Sequence, residues 1–520
     1  VISELVQNAD DAGATEVRLC LDTRGENELG ARSLLSPKMK HWQGPSLLAW
    51  NDATFSPSDF KNIAKIGQDS KVSKPSTAGR FGLGFNAVYH FTDLPSFVSG
   101  EHLVLFDPHF AFLPGASAAK PGLKIKFHDA AKGGVSGLLS QFPDQFAGYA
   151  GIFGCDFSSG PYDGTLFRFP LRSEEVARRS EIKAEAYTEA TVRELFAAFK
   201  KRAAHALLFL KNVTKIGVYE MRESSERHVP HLLYEVRVPS FERGTDPRRA
   251  VSEWVASGGG TRQTFAERLR AAADDSLPSS TGWMDLDIQD GSVVETQRWL
   301  LSCALAGGAA KEMAISETGA ARGLVPWVGA AARVPRMGSD DVSTEDGASE
   351  EKRTEKIKNL AVDGRAFCFL PLPVRTGLPV HVHAPFELSS NRRDVWHGED
   401  ASGGGRERGA WNATVLKHAV APAYVALLRA AKVSSLGPSR LDSYYALFPG
   451  VEETQLVPEP WSVILPPLYA SLAVEPCVEA TDPAFSGSDG SCDTRKWIAP
   501  NAGVFPDVST EALRLSFAPG

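Results

Sequence analysis

The chain opens on apolar residues at helical spacing. Ile2, Leu5, Val6 and Ala12 share one side, and Gly13 follows as a stop, which predicts an amphipathic helix over Ile2 to Ala12. From Glu16 to Asp22 the period changes to two, with Val17, Leu19 and Leu21 on one face and Glu16, Arg18 and Cys20 on the other. That alternation predicts a strand buried on one side. A second strand, PSLLAW, runs into Asn51-Asp52, and Ser58 to Ile66 reads as a helix followed by a polar loop from Gly67 to Ala78. Arg80 to Phe91 reads as a helix entered through glycines, Phe97-Val98 with Leu103 to Phe106 as a hairpin, and Thr165 to Pro170 as an alternating strand. Residues 1–172 thus form one expected α/β domain. Residues 173–402 form a second α/β region, led by a charged, Ala-rich linker helix from Ser173 to Ala206 and resuming strands at Phe367 to Pro373 and Pro379 to Leu388. Within it, 337–358 is acidic and nearly free of apolar residues, the composition of a disordered insertion. Residues 403–520 read as helical, then Pro-rich and irregular after Pro458, and no internal repeat is visible.

Length and composition narrow the class. At 520 residues, with 43% apolar and 23% charged residues, the chain has room for about three domains of ordinary globular make-up. No uninterrupted apolar run reaches the ~18 residues of a membrane span; Cys303 to Ile315 comes nearest and is broken by Gly307, Gly308, Lys311 and Glu312. A net charge of −7 disfavours a nucleic-acid partner. The six cysteines are scattered without a CxxC pair, which disfavours a zinc ribbon and favours a reducing, cytoplasmic setting. The sequence starts at Val1 within the first helix, so the chain is expected to be a fragment of a longer protein.

Four short features carry candidate chemistry. Glu4, Asn8 and Asp11 stand at i, i+4 and i+7 and stack along one helix face. A solvated face would show the same triplet, but the apolar side opposite would pack on a sheet and turn this ridge towards a cleft. There Asn can offer a carbonyl oxygen to Mg²⁺ beside phosphate oxygens, and Glu can orient and deprotonate a water. Second, Gly79-Arg80-Phe81-Gly82-Leu83-Gly84-Phe85 leaves backbone N–H groups open to phosphates at the start of a helix. It lacks both the preceding strand of a dinucleotide fold and the Lys-Ser/Thr of a P-loop. Third, Asn51-Asp52 ends an apolar strand where a side-chain oxygen could accept from an adenine amino group; a plain turn uses the same pair. Fourth, Gly164-Thr165 opens a strand with a hydroxyl that could support the base.

In this order the four features resemble the GHKL superfamily of gyrase B, heat-shock protein 90, histidine kinases and MutL. ELVQNADDAGA looks like its N-box, GRFGLGFNAVYHFTD like the chaperone glycine box, and DGTLFRF like its late Thr strand. More closely, ISELVQNADDAGATEVRLCLD, NDATFSPSDFKNIAKIGQDSK, FGLGFNAVYHFTDLPSFVSGEHLVLFDPH and HVHAPFELSSNRRDVW resemble sacsin-like proteins with their chaperone-type Nov domain. The resemblance implies a Bergerat fold, an α+β two-layer sandwich, followed by a middle-like α/β region. It implies Mg²⁺ and ATP as ligands, with Glu4 as the base-like carboxylate, Asn8 on Mg²⁺ and phosphate, and Asp11 near the nucleotide. Gly79, Gly82, Gly84 and Phe85 would face the phosphates, Thr165 would lie behind the adenine, and Arg392 or Arg393 would sense the γ-phosphate. A surface salt bridge to Asp394 or Glu387 is the alternative for that Arg pair.

Three departures qualify the match. The family's Asp-x-Gly-x-Gly reads Asn-Asp-Ala-Thr-Phe here, leaving both Asn51 and Asp52 as candidates; the lid between Ile66 and Gly79 is short; and the elements that precede the N-box are missing. The expected function is a chaperone-type module binding Mg-ATP, with slow hydrolysis and client proteins or co-chaperones as partners. The alternatives are a non-hydrolysing scaffold of the same fold and, disfavoured by the net acidity, a DNA-directed GHKL ATPase. A histidine kinase is disfavoured because no His-bearing dimerisation helix precedes the N-box in this sequence.

Overall fold

The computed structural model describes residues 1–63, 84–129, 134–135, 137–158, 160–224, 227–239, 246–257, 261–334, 362–389, 394–397, 404–434, 441–449, 457–481 and 495–500. Gly79, Gly82, Arg392, Arg393 and the acidic stretch 337–358 lie outside them. The chain is a mixed α+β sandwich that divides into two units. Over the described residues the first runs to Val238 and takes in Asp287–Glu295; the second holds Pro239–Leu286 and the chain from Thr296 onwards.

The first unit is built on a sheet whose strands are β1 (Glu16–Asp22), β2 (Ser46–Asn51), β3 (Ser96–Gly100), β4 (His102–Phe106), β5 (Gly122–Lys126), β8 (Tyr162–Pro170), β9 (Lys215–Ser224) and β10 (Arg227–Arg237). A small separate hairpin, β6 (His128–Asp129) with β7 (Gly134–Val135), lies between β5 and β8 in the chain. The strand order is β10-β9-β1-β2-β8-β3-β4-β5. All neighbours are antiparallel except β1 and β9, which run parallel with Val17 opposite Ile216. The unit therefore continues past Arg172, because β1 needs β9 as its second neighbour.

Period-two alternation sorts the side chains onto two covered faces. Phe97, Val104, Phe106 and Phe167 meet Phe55, Phe60, Ile63 and Phe85 on one face. The rings lie close, with Phe97 5.2 Å from Phe167 and Phe85 5.6 Å from Phe106. Cys20, Leu48, Trp50, Val98, Leu103, Leu105 and Leu166 point to the other face, where they pack on Leu34, Met39, Trp42, Phe146, Tyr149 and Ile152. The expectation of a β1 buried on one side is thus corrected: Cys20 and Asp22 are fully buried, because segments 26–43 and 137–157 fold across the second face. The stretch read as a linker helix is also integral. Within Glu189–Ala206, Val192, Phe196, Phe199 and Ala203 are buried, an i, i+4, i+7, i+11 stripe that packs on β1 and β10.

The second unit carries the strands β11 (Ser279–Asp290), β12 (Val293–Leu305), β13 (Trp327–Arg333), β14 (Arg365–Cys368), β15 (Leu370–Arg375) and β16 (His381–His383). The tip of the β11–β12 hairpin, Asp287–Glu295, is the part that belongs to the first unit. The order in the second unit is β15-β14-β16-β13-β12-β11. The strand read over Phe367 to Pro373 breaks at Phe369, whose φ of 63° turns the chain back, so β14 and β15 form a hairpin. Of Pro379 to Leu388, only His381–His383 is strand. Helices Gly405–Val415 and Ala421–Ser434, joined by a π-helical turn at Leu416–Val420, confirm the helical reading after 403. Among the described residues no helix is long and apolar enough to cross a membrane.

Candidate functional site

The first helix, α1 (Ile2–Asp11), buries Ile2, Leu5, Val6, Ala9 and Asp10 and packs on the 3-10 segment Gly84–His90. That segment is the described part of the helix read over Arg80 to Phe91, of which 80–83 lie outside the described residues. On α1, Glu4 and Asn8 are half-buried. The Asp11 carboxylate is only 3% exposed and forms an ion pair with Lys211. The Phe85 ring packs between Phe106 and Phe167, so its side chain belongs to the aromatic core. Next to it, Asn86 Oδ1 and the Tyr89 hydroxyl are buried and lack a hydrogen-bond partner among the described residues. Burial, with Asp107 and Asp93 nearby, raises the Tyr89 pKa to about 12.

The strand-borne candidates converge at one end of the sheet. Asn51 is directly opposite Thr165, and Thr165 is directly opposite Ser99. By their odd-numbered places on β2, β8 and β3 they share the face of Phe97, Phe167 and Phe85. Thr165 is fully buried; its hydroxyl lies 2.8 Å from that of Ser99 and donates to the Ala53 carbonyl at 2.7 Å. Ser99 Oγ in turn accepts from Phe55 N–H at 2.9 Å. Asn51, 9% exposed, accepts from Ala53 N–H at 3.1 Å through its Oδ1. Asp52 is used differently. Its carboxylate accepts from the backbone N–H groups of Thr15 at 2.8 Å and Glu16 at 3.0 Å, and from the Thr15 hydroxyl, which fixes the entry to β1.

Gly164 makes the close approach between β8 and β2 possible. Its φ is +115°, and a Cβ there would stand 2.7 Å from the Asn51 carbonyl oxygen and 2.9 Å from Trp50 Nε1. Gly164→Ala is expected to destabilise the protein by about 2 kcal/mol, read as a lowered midpoint in urea denaturation; an unchanged midpoint would show that β2 yields without cost.

Sequence reasoning missed Asp10. It sits off the polar ridge and is fully buried. Its carboxylate accepts from the backbone N–H groups of Lys211 at 3.2 Å, Asn212 at 2.7 Å and Val213 at 3.0 Å, while Asn212 Nδ2 donates to the Asp10 carbonyl at 2.8 Å. The only sequence signal was a second acid beside Asp11, and its partners lie about two hundred residues away. Arg172 was missed as well. Fully buried, it donates to Asp93 at 2.7 Å, to the carbonyls of Tyr89 and His90 at the end of the 3-10 segment, and to that of Glu185. For the Arg392/Arg393 pair, one alternative partner is already engaged: Glu387 pairs with Arg322 at 2.9 Å and Arg408 at 3.8 Å.

Residues 1–232 match the model of the Sacsin domain family, so this part of the chain is sacsin-like. The chain is 28% identical to sacsin of Homo sapiens over 523 aligned positions, covering 91% of this chain and 11% of that protein. Among solved structures, the N-terminal domain of a DNA repair protein aligns with 79% of this chain and 90% of that one at 10% identity, with a TM-score of 0.30. That superposition is too loose to carry an argument.

Proposed function

We propose that the first unit is a sacsin-like module of Bergerat type that binds Mg-ATP, hydrolyses it slowly, and serves protein folding or quality control with client proteins or co-chaperones as partners. The observation that carries the reading is the register of Asn51 on Thr165, on the sheet face shared with Phe85 of the segment that packs on α1. Asn51, not Asp52, is the base-facing residue in this proposal, since Thr15 and Glu16 already occupy the Asp52 carboxylate. A carboxamide also suits adenine, offering an acceptor to the amino group and a donor to a ring nitrogen.

Asn8 would offer its carbonyl oxygen to Mg²⁺, as a hard cation requires, and the Asn86 oxygen, without a partner among the described residues, would add a second oxygen donor on the neighbouring segment. Glu4 would accept a proton from water. The backbone of Gly79, Gly82 and Gly84 would cradle phosphates, with Arg392 or Arg393 as the charge sensor. Bound ATP would supply the phosphoryl group, and Mg²⁺ would offset its negative charge.

Calorimetric titration of the chain with Mg-ATP tests the proposal. One site per chain is expected, lost in Asn8→Ala; no binding heat from the unaltered protein would sink it. Glu4→Ala is expected to keep binding while single-turnover hydrolysis falls by about a hundredfold. The altered adenine box, with Asp52 turned to a structural use, favours a second reading as a non-hydrolysing scaffold. Equal hydrolysis rates with and without Glu4 would select that one.

A further inference from the structure

Lys211 stands against the C-terminal end of α1. Its side chain is 5% exposed, ion-paired with Asp11, and 3.6 Å from Asp10. Burial by itself would lower its pKa, but the carboxylates of Asp11 and Asp10 outweigh burial and raise it above the usual lysine value. The ammonium is therefore charged at neutral pH. Asp10 receives three further backbone donors, and the shorter of the two ammonium contacts goes to Asp11.

Asp11 stands on the same α1 face as Glu4 and Asn8, so a polyphosphate approaching Asn8 would meet two carboxylates. Like charges at close range in a partly buried site repel strongly. A cation paired with Asp11 offsets that repulsion, while the 211–213 backbone, clasped by Asp10, fixes where the cation sits.

We propose that Lys211 is a positioning residue that neutralises Asp11 from behind and so lets the α1 ridge accept a polyphosphate. This inference rests on the nucleotide reading above. Lys211 acts through Asp11 and not by touching the ligand, which separates it from the roles given to Asn8 and the glycines.

The test is calorimetry on the full chain with two ligands, Mg-ATP and uncharged adenosine. Lys211→Met is expected to weaken Mg-ATP about tenfold or more while adenosine changes by less than about twofold, and Lys211→Arg to recover Mg-ATP to within about threefold. Equal losses for both ligands would mark the ion pair as merely structural and overturn the inference, as would no loss for either. Asp11→Asn, which keeps Lys211 against Asp10, decides the matter even if Lys211→Met does not fold. It is expected to tighten Mg-ATP by about threefold, and a weakening overturns the inference. Unaltered protein that binds neither ligand overturns the nucleotide reading and this inference with it, whereas unaltered protein that binds both, with Lys211→Met unchanged, overturns this inference alone.

Discussion

Arg172→Met is expected to destabilise the first unit by about 3–5 kcal/mol, the cost of leaving a buried ion-pair partner uncompensated. Asp93 is only 5% exposed and would be left without the guanidinium 2.5 Å away. The carbonyls of Tyr89, His90 and Glu185 would lose donors in the same step. Methionine fills much of the volume, so the loss is electrostatic and not a cavity. Arg172→Lys is expected to recover less than half of it, because a point charge cannot reach Asp93 and three carbonyls at once as a planar fork does. Urea denaturation read by tryptophan fluorescence would measure the change. A shift below about 1 kcal/mol would place this cluster among the weak surface pairs and contradict its burial.

Asp10→Ala is expected to cost about 3–5 kcal/mol as well, for a related reason. It leaves the N–H groups of Lys211, Asn212 and Val213, the last of them buried, without their acceptor and removes one of the two carboxylates beside the Lys211 ammonium. Asp10→Asn keeps one acceptor oxygen and should lose less. The distinguishing measurement is hydrogen exchange: amides 211–213 are expected to lose protection before those of β2 and β8. Unchanged protection there would show that β9 holds the segment without Asp10.

Where structure followed local pattern, the sequence made it plain. The helical stripe of Ile2, Leu5 and Val6, the alternation in β1, and the apolar run of β2 all became the elements they predict. The pairing of Asn51 with Thr165 was foreshadowed only as two strand ends in the right order, and their register needed the sheet. What could not be read depends on distant partners. Nothing near Cys20 announces that Leu34, Met39 and Trp42 will cover it, since that segment has no regular period. Asp10 looks like a spare acid until Asn212 and Val213 reach it. Asp52 stood beside Asn51 as a candidate base acceptor, but its charge made it the better clasp for two backbone N–H groups at Thr15 and Glu16.

The parallel pairing of β1 with β9 has a bearing on how the protein is made. The first strand leaves the ribosome with one edge bare, and its second neighbour is still about two hundred residues away. At ~5–20 residues per second, roughly 10–40 s pass before that neighbour is synthesised. During this interval the edge of Glu16–Asp22 is an open template for other chains, and the helix bearing Glu4 and Asn8 has no clasp at its far end. A nascent chain halted anywhere before Val213 would therefore carry the helix Ile2–Asp11 loose and the strand Glu16–Asp22 unguarded, however complete the strands in between.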